Sequence, residues 1–226
     1  MADKKNSMKI GIYGGAFNPI HIGHLRTAED VYYMLSLDIV CFIPSGRPAF
    51  TKPHLVSARH RHEMVKIAID DNPHFSISDI ETKGHGKSYS IDTIRKLNTK
   101  GTDLYFIIGI DAFIDLPGWK EPDSLMSLAN IVVISRPGYS FLDISSSPYL
   151  KKVPKKIFSE LDRGVKDLFS FNISDEKECF LCCVTGLNIS ASNIRDMLIK
   201  GRNTKYLLPD SVKSYIISHR LYLNSK

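Results

Sequence analysis

Apolar residues along the chain alternate between two rhythms. Short continuous runs at 9–13, 39–43, 75–80, 104–108, 131–135 and 178–184 have the length and β-branched content of buried strands. Between them, apolar positions recur every three or four residues, which predicts helices over 23–35, 57–71 and 90–98. Met64, Val65, Ala68 and Ile69 mark the buried face of the second, and the third is capped near Ser90. Two short helices are expected at 111–116 and 124–128, and two more at 192–200, closed by Gly201, and 209–219.

Strand-helix alternation of this kind predicts an α/β chain. The expected architecture is a Rossmann-like, doubly wound, mostly parallel sheet with helices on both faces and a small C-terminal helical part. In such sheets a ligand binds beyond the carboxyl ends of the strands, where strand order reverses. Residues 1–7 read as a flexible tail and 8–226 as one domain. Within it, 139–177 is an irregular insertion with some helix, and 186–226 is the helical part carrying a second phosphate motif.

The 226 residues suffice for a core without disulfides or a structural metal. No apolar stretch is long enough for a membrane span, and residues 1–7 lack the apolar segment of a signal peptide. A soluble, cytoplasmic chain is expected. Lys and Arg number 30 against 24 acids, and this modest excess suits an anionic partner: nucleic acid or a phosphate-bearing small molecule. Cys41, Cys179, Cys182 and Cys183 form one CxxC without a second pair or a nearby histidine, so reduced packing residues are expected.

The candidate chemistry lies in turns that follow strands. Gly14-Gly-Ala-Phe-Asn-Pro-Ile-His-Ile-Gly-His24 leaves the first strand and opens a helix. Its glycines let backbone N–H groups approach an anion, and the helix N-terminus adds positive potential. His21 and His24, three apart, share one side of the first turn and can donate to phosphate oxygens. The spacing is not GxGxxG, so a dinucleotide fingerprint is excluded. Ile189-Ser-Ala-Ser-Asn-Ile-Arg195 follows the last strand and also opens a helix. Ser190 and Ser192 are available as caps, and Arg195 is a second anion-binding candidate or an ion-pair partner. Gly84-His-Gly-Lys-Ser88 lacks a Walker A glycine, because Glu81 stands where it is required. His60 and His62 diverge at i, i+2 on a helix and read as exposed polarity rather than a metal pair.

Residues 14–25, with His21-Ile-Gly-His24, resemble the (T/H)xGH signature of the nucleotidylyltransferase superfamily, and 189–195 resembles its ISxSxIR phosphate element. Further matches narrow the resemblance to bacterial nicotinate mononucleotide adenylyltransferases: Gly109-Ile-Asp-Ala-Phe113, Leu116-Pro-Gly-Trp119, Arg136-Pro-Gly138, Ser88-Tyr-Ser-Ile-Asp-Thr93 and Ile43-Pro-Ser-Gly-Arg-Pro48. The likeness covers about 8–136 and 184–222. It implies that Gly14, Gly15, Ala16 and Phe17 line the nucleotide loop and that His21, His24 and Arg195 act on the phosphates. Gly109 and Asp111 would lie near the ATP ribose, with Arg136, Ile189, Ser190 and Ser192 at the adenine and phosphate end. Trp119 would stack on the pyridine ring, and Asn18, Lys52, Tyr89 and Ser90 would contact the acceptor. The sequence departs from the family's loop at Pro48-Ala-Phe-Thr-Lys52, where a histidine is replaced by Thr51.

The implied reaction joins AMP from ATP to nicotinate mononucleotide, releasing pyrophosphate, with no covalent intermediate. Mg²⁺ would travel on the substrate phosphates, with no protein metal cage, no nucleic-acid or membrane partner, and a homo-oligomer left open. The rival readings are a nicotinamide mononucleotide or other phosphorylated acceptor, and a non-catalytic RNA-binding relative of class I synthetases.

Overall fold

The computed structural model describes residues 7–48, 54–84 and 86–223. The expected N-terminal tail therefore lies outside the described residues except for Ser7, as does Lys52.

The chain runs β1 (Met8–Gly15), α1 (Ile22–Leu35), β2 (Ile39–Pro44), α2 (Ala58–Ala68), β3 (Phe75–Ile77), α3 (Ser90–Leu97) and β4 (Thr102–Gly109). It continues through α4 (Ile110–Asp115), α5 (Pro122–Leu128), β5 (Asn130–Ile134), α6 (Lys155–Asp162), β6 (Leu168–Asn172), β7 (Glu178–Cys182), α7 (Ala191–Ile199) and α8 (Asp210–Ser218). The seven strands form one sheet in the order β3-β2-β1-β4-β5-β7-β6. Every neighbouring pair is parallel except β6 with β7.

The continuous apolar runs follow from burial on both faces. Along β4, Leu104, Phe106 and Ile108 enter one core and Tyr105 and Ile107 the other; along β5, Ile131 and Val133 alternate with Val132 and Ile134 in the same way. Helices α3 to α6 contribute Ile91, Phe113, Leu125 and Phe158 to the first core. Helices α1, α2, α7 and α8 contribute Val31, Met64, Ile194 and Val212 to the second. Cys179 and Cys182 are fully buried packing residues, one in each core, and burial raises both thiols well above their ordinary range.

The segment 139–177 holds the helix that was expected, in α6, but it also holds a strand where irregular chain was expected. It ends in a strand, β6, which pairs antiparallel with β7 and closes the sheet edge. Phe169 and Phe171 face inward while Leu168, Ser170 and Asn172 are exposed, the period-two pattern of a strand covered on one face only. Only five residues carry that alternation, which is too few to stand out among polar neighbours.

The position of β1 places the functional cleft. The chain steps outward from β1 to β2 and β3, then returns to lay β4 on the other side of β1. Loops from the carboxyl ends of β1 and β4 therefore part there and leave a hollow.

Candidate active site

A cleft of about 870 Å³ opens at that point. The candidate site residues from the sequence line it, and Lys52 lies outside the described residues. Loops after β1, β4 and β5, the N-terminus of α3 and the N-terminus of α7 all contribute to its walls.

The first turn is built around the two histidines. His21 is the N-cap of α1, in extended conformation, and its N–H donates to Nδ1 of His24 at 3.2 Å. That bond leaves the proton of a neutral His24 on Nε2. The two rings stack with centroids 3.6 Å apart. Gly23 permits this approach: a Cβ there would lie 3.1 Å from Nδ1 of His21. Phe17, buried and in the left-handed region at φ 44, backs the stack edge-on to His24 at 5.1 Å. His21 is only 6% exposed, and burial, reinforced by the nearby positive charge of Arg136, pushes its pKa down to about 4. It is therefore a neutral hydrogen-bonding group near neutral pH.

The second turn lies against the first. Ser190 caps α7 by accepting from the Asn193 N–H at 3.1 Å. Ser192 departs from its expected capping role, because it sits inside the first turn of α7 and its Oγ accepts from Arg195 at 3.1 Å. The other terminal nitrogen of Arg195 donates to the main-chain oxygen of Asn18 at 2.9 Å. Its Nε is buried and has no partner among the described residues. The guanidinium so ties α7 directly to the histidine turn, in one hollow.

Arg136 pairs with Asp111 Oδ2, and Asp111 Oδ1 is buried without a partner among the described residues. A Cβ on Gly109 would come within 2.5 Å of that oxygen, so this glycine is required for Asp111 to hold its place. At the other end of the cleft, a short helical turn at Leu116–Gly118 leads to Trp119, which is partly buried and meets Phe106 edge-on at 6.3 Å. Tyr89 is the N-cap of α3 and Ser90 its first residue, so this helix start, with its free backbone N–H groups, lines the same cleft as the indole. Lys120 lies 5.0 Å from the Tyr89 ring centroid and donates to both oxygens of Asp92 at 2.9 and 3.0 Å.

Asn18 has a part other than substrate contact by its side chain. It is 3% exposed, its Nδ2 donates to the His54 carbonyl at 3.0 Å, and its Oδ1 accepts from the Tyr222 hydroxyl at 2.6 Å and the Val56 N–H at 3.3 Å. The expectation for His60 also changes. Its Nδ1 lies 2.9 Å from the Tyr215 hydroxyl and links α2 to α8, away from the cleft.

Arg61 escaped the sequence reading. It is fully buried and donates to the carbonyls of Ala16 at 2.8 Å, Gly46 at 2.9 Å and Val56 at 3.1 Å. The guanidinium joins the loop after β1 to the loop after β2. A signal was present: Arg61 precedes Met64 by three and Val65 by four, on the helix face that carries the core.

Two strand-to-helix turns that meet beside a sheet switch point are the mark of a class of α/β nucleotide-binding folds, and the chain belongs to the cytidylyltransferase-like family, whose pattern matches residues 12–197. Among curated relatives, a protein from Geotalea daltonii named "Probable nicotinate-nucleotide adenylyltransferase" is 40% identical, over 95% of this chain and 98% of its own length. A protein of the same name from Lachnoclostridium phytofermentans is 36% identical over 95% and 99%. Among solved structures, the Plasmodium falciparum nicotinic acid mononucleotide adenylyltransferase complexed with NaAD superposes with a TM-score of 0.68, covering 95% of this chain and 97% of that one, at 20% identity. At that identity the superposition speaks for the shared fold.

Proposed function

We propose that the chain transfers AMP from ATP to nicotinate mononucleotide, forming nicotinate adenine dinucleotide and pyrophosphate in NAD synthesis. The observation that carries this reading is one cleft lined by both imidazoles and Arg195 and also by Trp119 and the start of α3. The names of the relatives agree with it.

A mononucleotide phosphate is largely dianionic at neutral pH, its second pKa being about 6. Its oxygen attacks the α-phosphorus of ATP in line as the bond to the pyrophosphate oxygen breaks, with no base required. The chain's part is to align the two anions and to stabilise the negative charge that builds in transit. His21 and His24 donate to phosphate oxygens, Arg195 and the N–H groups at the start of α7 hold the triphosphate, and Gly14, Gly15, Ala16 and Phe17 shape the loop around it. Gly109, Asp111 and Arg136 serve the adenosine end, with Ile189, Ser190 and Ser192 at the phosphates. Trp119 stacks on the pyridine, Tyr89 and Ser90 receive its carboxylate, and Lys52 joins the acceptor side.

Mg²⁺ is part of the proposal as a passenger of the phosphates, whose charge it offsets. Asp111, a cleft carboxylate, is already engaged by Arg136, so substrate oxygens and water would supply most of the ion's ligands. Residues 8–226 act as one unit in this reading, and cytoplasmic residence belongs to it. No described helix is long and apolar enough to cross a membrane.

Pyrophosphate release tests the reading. Release is expected to require both ATP and nicotinate mononucleotide. Release from ATP alone, or none with any pyridine mononucleotide, would refute it, and turnover with the amide substrate measures acid preference.

A further inference from the structure

The histidine turn is strained and is held from outside. Phe17 keeps a left-handed backbone conformation that a non-glycine residue adopts only where its surroundings enforce it. Besides the bonds of Asn18 to His54 and Val56, four hydrogen bonds from distant segments hold the turn: Arg61 to the Ala16 carbonyl, Arg195 to the Asn18 carbonyl, the Tyr222 hydroxyl to Asn18 Oδ1, and the Ile22 N–H to the Leu207 carbonyl at 3.0 Å. Three of these four partners come from residues 195–222.

Tyr222 is the most remote, 204 positions from Asn18. Its approach is built into the backbone. After α8, Arg220 and Tyr222 take positive φ values of 52 and 58, and the Leu221 N–H returns to the Ile216 carbonyl at 2.9 Å. The reversal turns the phenol into the second core, where it is 9% exposed, rather than out into solvent. The hydroxyl bond to Asn18, at 2.6 Å, is the shortest made by that side chain; the Val56 bond to the same oxygen is 3.3 Å. The main-chain oxygen of the same Asn18 accepts from Arg195 at 2.9 Å. One asparagine thus sets the spacing of the imidazoles against the guanidinium.

We infer that Tyr222 is a positioning residue for the cleft: through Asn18 its hydroxyl fixes the His21–His24 turn relative to Arg195, so that the end of the chain completes the phosphate site. The kinetic consequences rest on the adenylyl-transfer reading; the structural consequence does not.

Tyr222→Phe keeps the ring and its packing and removes one hydrogen bond. The expected result is a fall in kcat of about tenfold, with KM for ATP and for nicotinate mononucleotide within about twofold of the parent. Amide hydrogen exchange over residues 14–24 should accelerate while the central strands are unchanged. Tyr215→Phe, which removes a hydroxyl outside the cleft, should leave both readouts alone. In an Asn18→Ala background, Tyr222→Phe should cost nothing further, because the bond is already gone. Unchanged exchange over 14–24, or a fully additive loss in the double variant, would overturn the inference. Should the parent chain transfer no AMP, the functional reading fails while the exchange comparison still decides the role of Tyr222.

Discussion

Acidification should destabilise this chain in part through one buried imidazole, that of His21. An unfolded histidine binds its proton at a pKa of about 6.5, whereas His21 in the folded chain does so only near about 4. Burial is the main cause, because a charged ring would lose its hydration; the positive charge of Arg136 adds to it. Between these two values the unfolded state holds more protons than the folded state, so stability falls as pH falls. The contribution is fully present above the unfolded pKa and is lost on the way down to the folded one. From about pH 7.5 to about pH 5 the expected loss through His21 is about 2 kcal/mol. His21→Gln removes the titration and keeps a polar side chain. Urea unfolding, followed by fluorescence of the single tryptophan, Trp119, and by circular dichroism, measures the difference. The parent should lose about 2 kcal/mol more than the variant over this interval. Parallel losses in the two proteins would refute the reasoning, since no other change distinguishes them.

Replacing His24 by Ala should lower kcat by at least about a hundredfold with little change in the KM for ATP; unchanged turnover would exclude a role in the transition state. Trp119→Ala should raise KM for the pyridine mononucleotide about tenfold and spare that for ATP, whereas equal losses for both substrates would mark a packing residue. Arg61→Met should destabilise the fold by roughly 3 kcal/mol, because the Ala16, Gly46 and Val56 carbonyls lose their common donor; chemical denaturation checks this, and a loss under about 1 kcal/mol would show that water replaces the guanidinium.

Much of this protein was legible in one dimension. Strands buried on both faces read as unbroken apolar runs, and β4 and β5 show why: alternate residues serve different cores. The motifs 14–24 and 189–195 were visible because tight turns that lead from a strand into a helix restrict residue types locally. Edge strand β6 was not, since one exposed face leaves only Phe169 and Phe171 as signal. Ser192 and Asn18 were legible as site residues but not in their parts, because a hydroxyl or an amide oxygen suits a helix cap, a ligand or a guanidinium equally well. Arg61 stood on a helix face marked as core, yet nothing in its neighbours named the three carbonyls that receive it.

The amino-acid order by itself determined the alternation of strand and helix and the residue types at the two post-strand turns, since hydrophobic period and turn chemistry act over a few residues, whereas the strand order came from long-range pairing. Only the tertiary structure decided that Arg195 reaches Asn18 across 177 positions and Tyr222 reaches it across 204. The depression of the His21 pKa was decided there too. Desolvation and hydrogen-bond partnership depend on what lies nearby in space, and packing alone sets that.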